Sequence, residues 1–201
     1  MGSCILQFDD SLSDTLLLRK PSNQTIVQPT EIAENDLWTM FFDCACTKES
    51  AGAGVVFISP SKKASHLSFK LNFKVTNNIA EYEALLLGMN AAKEKGIKKL
   101  QVFGDADLII QQVNKSFQAK HVRLKAYRDE VLEAIKSFAD FKITFVPRAM
   151  NELADSLAVS ACAFIPPLPH KLSYEIQVRH RPSLPDNVKF CKVFEDDAEL
   201  T

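Results

Sequence analysis

The chain has 201 residues, 46% hydrophobic and 24% charged, with a formal net charge of −1. That is ordinary globular composition, enough for one domain of roughly 120–150 residues plus flanking segments. No run of about 18 apolar residues occurs, which excludes a helical membrane span.

The first residues, "MGSCIL", lack the charged region and apolar core of a secretory signal. Gly2 follows Met1, but Leu6 stands where a myristoylation signal carries Ser or Thr. The five cysteines are Cys4, Cys44, Cys46, Cys162 and Cys191. Their odd number and the lack of any CxxC suggest neither a disulfide framework nor a zinc site. Reduced cysteines in a cytoplasmic or nuclear protein are expected. Charge is uneven: residues 1–37 carry a net −4, residues 38–163 a net +4 and residues 164–201 a net −1. A mildly basic middle can accept a polyanion without demanding one.

In chain order, residues 1–35 lack sustained periodicity and read as a loosely structured leader or linker. Strands are expected at 38–44, 53–59 and 64–73. Trp38, Met40 and Phe42 alternate with Thr39, Phe41 and Asp43 in the first. "ESAGAG" is expected to form a tight hairpin between the first two. A helix over about 79–95 follows, closed by Gly96 as its C-cap. Then come the strand "KLQVFG", a helix near 107–116, a longer helix in "RLKAYRDEVLEAIKSF", the strand "KITFVP" and a last helix from Asn151. The order βββαβααβα implies a five-stranded mixed sheet covered by helices, an α/β fold. The domain is placed at 36–163. Residues 164–201 hold Pro166, Pro167, Pro169, Pro182 and Pro185 and an acidic end, which argues against a packed core of their own.

Four carboxylates stand where they are costly. Asp43 ends the first strand and Asp105 follows "LQVFG". If those strands are neighbours, the two acids stand side by side at the carboxyl ends, where ligand crevices form. On a helix from Ile79, Glu81 shares a face with Ala84, Leu85, Gly88 and Ala92, so it points at the sheet, whereas Glu83 projects toward solvent. Asp155 heads a similar stripe with Ala158, Val159 and Cys162. Burying an unpaired carboxylate costs several kcal/mol, on the order given for desolvated ions, so a cation or a donor must offset it. Four acids with no Lys or Arg in the same motifs suit a hard cation, Mg²⁺ or Mn²⁺. Taken singly, each acid also reads as a turn former or a helix-dipole partner.

"FFDCACT", "TNNIAEYEAL", "FGDADLIIQQV" and "VPRAMNELADSLA" resemble, in order, the four motifs of type 1 ribonuclease H. The likeness is greatest to the domains of plant long-terminal-repeat retrotransposon polyproteins and covers about residues 36–163. The resemblance implies the ribonuclease H-like fold and endonucleolytic cutting of RNA in an RNA/DNA hybrid with two divalent ions. It carries the metal-binding acids over as Asp43, Glu81, Asp105 and Asp155, and puts Arg148 in the loop that assists product release. It sets Asn77 and Asn78 beside the minor groove and Thr76 near a DNA phosphate, and it implies a reverse transcriptase or another polyprotein domain as partner. Both Asn amides also suit capping of the following helix. Cys44 replaces the family's usual Gly and puts bulk where the RNA backbone approaches; Ala106 replaces a frequent Ser. Two other readings stand beside the active ribonuclease. One is a catalytically silent nucleic-acid-binding domain derived from a mobile element. The other is a different nuclease on the same fold.

Overall fold

The computed structural model describes residues 36–114, 121–163 and 175–184. The expected leader, and the tail apart from 175–184, lie outside these residues. The elements in chain order are β1 (Leu37–Cys46), β2 (Ala51–Ile58), β3 (Ala64–Leu71), α1 (Asn77–Glu94), β4 (Lys99–Gly104), α2 (Asp107–Val113), α3 (Val122–Ile135), β5 (Asp140–Phe145), α4 (Glu152–Ala163) and β6 (Ile176–Arg179). A single 3₁₀ turn, Arg148–Met150, precedes α4. Among the described residues no helix is long and apolar enough to cross a membrane.

The strands form one mixed sheet in the order β5-β4-β1-β2-β3-β6. The first three strands meander antiparallel, while β4 pairs parallel with β1, β5 with β4 and β6 with β3. The mixed α/β architecture agrees with the sequence reading, but the sheet has six strands rather than five. The sixth comes from the Pro-containing tail, where "IQVR" adds to the edge of β3. Four residues are too few for alternation to show, and the pairing runs through main-chain groups that any sequence carries.

The "AGAG" segment is strand, not hairpin. The turn is made by Thr47–Ser50, where Thr47 N donates to the Ser50 carbonyl at 2.8 Å. Gly52 and Gly54 lie inside β2 because α4 crosses it at backbone distance. A Cβ on Gly54 would stand 2.2 Å from the Ala154 carbonyl oxygen, and one on Gly52 2.4 Å from that of Ala158. The face α4 turns to the sheet is Ala154, Leu157, Ala158, Ala161 and Cys162. Val159, expected in that stripe, is 48% exposed.

On the other face α1 lies across β1 and β2, and Gly88 brings it close to Met40 and Val55. Thr76 caps its start, accepting from Ile79 N at 3.4 Å. Its end is a Schellman motif: Gly96 at φ +73° donates to the Lys93 carbonyl, and Ile97 N donates to that of Ala92. The helix is buried all round from Ile79 to Met89, because α3 packs on its outer side. Glu83 is therefore not solvated: it is 1% exposed. Three donors satisfy it. The Tyr127 hydroxyl donates to Oε1 at 2.6 Å, Ser183 N to the same oxygen at 2.8 Å, and Ser183 Oγ to Oε2 at 2.6 Å.

Two of those donors come from the residue four past the end of β6, so the tail is tied to the domain by a strand and by a buried carboxylate. Hydrogen bonds to charged groups contribute about 1.5–3 kcal/mol each. Ser183→Ala should lower unfolding free energy in urea by about that amount, and a chain ending at residue 174 should lose more. Equal urea midpoints for the full and shortened chains would show that the added strand contributes nothing to the domain.

Candidate active site

The parallel register of β1 and β4 ends at Phe41 opposite Phe103. Continued by two residues, it sets Asp43 beside Asp105. Gly104 makes this possible, since a Cβ there would stand 2.6 Å from the Phe42 ring. Asp43 is not the end of β1, as the sequence reading had it: the strand runs on to Cys46 against β2, and only its pairing with β4 stops before Asp43. Asp43 is 4% exposed; its Oδ1 accepts from Cys44 N at 2.7 Å and its Oδ2 is buried without a partner. Burial, and next the charge of Asp105, push the Asp43 carboxyl up to about 7.

Glu81 reaches the same place from the second turn of α1. It is 8% exposed, and its Oε2 also lacks a partner. Burial, with the neighbouring Asp43 charge next, pushes it up to about 8. The sequence reading that it faces the sheet holds. Cys44, 8% exposed, turns its thiol under the start of α1, where Sγ lies 3.8 Å from the Asn77 carbonyl and 3.7 Å from its Oδ1. A hydrogen bond with Cys46 and burial hold that thiol protonated. The sequence departure from Gly thus places its bulk against α1, not as an isolated protrusion. Asn77 and Asn78 open the first turn of α1, while the capping they were thought able to supply comes from Thr76.

Asp155 lies on the edge of α4, not at the centre of its buried stripe, with a side chain 25% exposed. Arg148 Nη2 donates to its Oδ1 at 2.6 Å. Asn151 was not singled out as a site residue, yet it is 1% exposed and donates from Nδ2 both to the Phe42 carbonyl at 2.9 Å and to Asp105 Oδ1 at 3.1 Å. In the sequence it reads only as the residue that starts the last helix, and nothing local to it signals the contact with Asp105, 46 positions away.

Three of the acids open onto one cleft of about 250 Å³, lined by Asp43, Cys44, Asn77, Glu81, Asp105 and Arg148 among others; Asp155 stands behind Arg148, outside that lining. Among the described residues no three His, Cys, Asp or Glu side chains are set as a finished metal cage. The donor set nevertheless fits a hard cation. It is made of oxygens, it is crowded with like charge, and two of its buried oxygens are unpartnered. Asp43, Glu81, Asp105 and Asp155 are the residues that would hold such an ion, Asp155 through the oxygen that Arg148 does not bond or after parting from Arg148.

The model of the reverse transcriptase-like family matches residues 41–161, which include all four acids, Arg148 and Asn151 and exclude β6. Ribonuclease HI of Halobacterium salinarum is 38% identical over 88 residues, 44% of this chain and 44% of that protein. The bifunctional protein Rv2228c of Mycobacterium tuberculosis is 32% identical over 88 residues, 44% of this chain and 24% of that protein. The chain thus spans less than half the length of these curated relatives. Among solved structures, RNase H1 from Halobacterium salinarum superposes with a TM-score of 0.60 at 31% identity, covering 62% of this chain and 96% of that one. The N-terminal RNase H domain of Rv2228c gives 0.55 at 26% identity, covering 62% and 92%. These relatives are archaeal and bacterial, so the likeness to plant retrotransposon domains rests on the sequence motifs alone. With the match spanning residues 41–161 and the fold shared with solved relatives, the chain belongs to the reverse transcriptase-like family and carries a type 1 ribonuclease H domain.

Proposed function

We propose that this domain hydrolyses the RNA strand of RNA/DNA hybrids endonucleolytically, using two Mg²⁺ or Mn²⁺ ions. The observation that carries the reading is the pair of buried, unpartnered carboxylate oxygens on Asp43 and Glu81, crowded with Asp105 around one cleft. A divalent pair held there would supply water activation and charge neutralisation at the phosphate. The chain's own part is placement. Asp43 and Asp105 fix one side of the site from adjacent strand ends, Glu81 closes it from α1, and Asp155 approaches from α4. Asn77, Asn78 and Thr76 at the open start of α1 can donate to a groove-lining 2′-hydroxyl and to a phosphate, contacts that separate RNA from DNA. Arg148 is 72% exposed and reaches over the cleft, a position suited to meeting a phosphate and then letting it go.

One observation favours the second reading, a catalytically silent binding domain. Arg148 already occupies Asp155, so the fourth acid is neutralised by a side chain of the same chain. Such an exposed ion pair contributes only about 0–1 kcal/mol, and a divalent cation can displace it. The active reading therefore stands first. A reverse transcriptase or other polyprotein domain as partner, and a cytoplasmic or nuclear location, remain part of the proposal.

The raised carboxyls set the sign of the pH dependence. The folded state holds protons that the unfolded chain releases above about 4. Metal-free stability is therefore greatest at acid pH and falls as pH rises through about 7 and 8, the folded values of Asp43 and Glu81. Metal competes with those protons, so the rise in melting temperature with millimolar Mg²⁺ or Mn²⁺ should be larger at pH 8 than at pH 6. Each kcal/mol of linked binding is worth about 2–4 °C in a domain of this size. Asp43→Asn should raise the metal-free midpoint at pH 8 and abolish the metal response. No shift with either metal in the unaltered chain would remove the metal site.

Specificity is tested with matched substrates. RNA/DNA hybrid should be cut, while duplex RNA and duplex DNA should not, with binding that weakens as salt rises and is nearly indifferent to sequence. Asp105→Asn should abolish cutting. Binding of hybrid with no cutting by the unaltered chain in Mg²⁺ or Mn²⁺ would favour the silent domain, and equal cutting of duplex DNA would favour another nuclease.

A further inference from the structure

We infer that Asn151 is a positioning residue, whose side-chain amide fixes Asp105 against β1 and so sets the spacing of the Asp43–Asp105 pair. The inference rests on reading the cleft as a metal-dependent site. Asn151 sits between the 3₁₀ turn and α4, and it is 1% exposed. One nitrogen spends its two protons on two elements: the Phe42 carbonyl at 2.9 Å, in the residue before Asp43, and Asp105 Oδ1 at 3.1 Å, just past β4. The amide orientation follows from its partners. Turned over, it would face two acceptors with an oxygen, so only one orientation makes bonds.

The main chain of the same residue reaches the third acid. Asn151 N donates to the Arg148 carbonyl at 2.8 Å, and the Asn151 carbonyl accepts from Asp155 N at 3.0 Å. A single residue therefore links the strand that carries Asp43, the carboxylate of Asp105 and the first turn of the helix that carries Asp155. Its Oδ1 is buried with no partner. A residue kept only to fill space would be replaced without loss by an apolar one of equal size, which leaves no orphaned acceptor. A neutral donor also suits the position. It orients Asp105 and occupies one of its oxygens without bringing a charge that would compete with a cation, as Arg148 does at Asp155. Partners one step removed from a metal typically change affinity by about tenfold to a hundredfold.

The test uses the full chain with Mn²⁺ alone as the probe, followed by calorimetry, and separately kcat and KM on one labelled hybrid. Asn151→Leu removes both donors and the orphaned acceptor while keeping the branched side-chain shape, at a larger volume; Asn151→Ser keeps one donor. We expect Asn151→Leu to weaken Mn²⁺ binding by about tenfold or more and to lower kcat with KM little changed, and Asn151→Ser to recover part of both. Mn²⁺ affinity and kcat within about twofold of the unaltered chain in Asn151→Leu, whatever its melting temperature, would make Asn151 a packing residue and overturn the inference. If the leucine variant does not fold, Asn151→Ala, which removes both donors without added bulk, gives the same reading. If the unaltered chain binds no Mn²⁺, the metal-site reading fails separately. Exchange of the two Asn151 side-chain amide protons then decides the clamp: both slow supports it, and fast exchange of both overturns it.

Discussion

The site depends on one electrostatic cost, the placing of Asp43 next to Asp105 where the parallel pairing of β1 and β4 stops. Neither acid is there by accident of a turn. Asp43 lies within β1, just past its last pairing with β4, and Asp105 directly follows β4; the hydrophobic residues of both strands are locked in the core, Met40 and Phe42 in β1 and Leu100 and Val102 in β4. The register that buries those residues also fixes the two carboxyls as neighbours. Burial of Asp43, and next the repulsion from Asp105 felt at low dielectric, push its carboxyl up to about 7. The protein tolerates this cost because its core is built from the remaining strand residues and from helices that close over both faces.

The close approach of those helices is what brings the other two acids within range. α4 reaches β2 at backbone distance only because Gly52 and Gly54 lack side chains, and α1 reaches β1 through Gly88. A larger residue at Gly52 or Gly54 would meet the backbone of α4 and lift that helix and Asp155 with it, whereas one at Gly88 would first displace the end of the Met40 side chain. Packing and charge are thus coupled: Gly54 lies directly opposite Asp43 in the β1–β2 ladder, and with Gly52 it sets how near α4 comes. Asn151 and Arg148 divide the remaining work, one donating to Asp105 from a buried amide and the other neutralising Asp155 from solvent.

Much of this is legible in the sequence where period and position carry it. The three meandering strands, the strand–helix alternation and the Gly96 stop appear as apolar rhythm and turn chemistry, and the structure has them within a few residues. The acids were found because a carboxylate at the end of an apolar run or on a small-residue helix face contradicts its surroundings. What escaped was what only tertiary context decides. The glycines of "AGAG" look like a turn until α4 is placed on them. Val159 fits a helical stripe but lies one position off the face that α4 uses. Asn151 has the ordinary character of a helix-starting residue, and β6 is too short to announce itself.

The comparison of Glu81 and Glu83 shows how burial alone misleads. They lie two residues apart on α1, and both are nearly inaccessible, at 8% and 1%. Helix periodicity sent one inward and the other outward, but α3 covers the outward side, so that distinction vanishes in the fold. What separates them is the supply of donors. Glu83 has three, from Tyr127 and Ser183, and it joins α1, α3 and the added tail strand into one unit. Glu81 keeps an oxygen with no partner at all and faces two other acids. A carboxylate whose donors come from its own chain is complete, and its energy goes into holding the fold. One whose donors are missing is held in place by the rest of the core, and its unmet demand is directed at whatever enters the cleft. The chain contains both cases on one helix, so a carboxylate completed by its own fold is told from one left with an unmet acceptor by hydrogen-bond partners rather than by residue type, position or exposure.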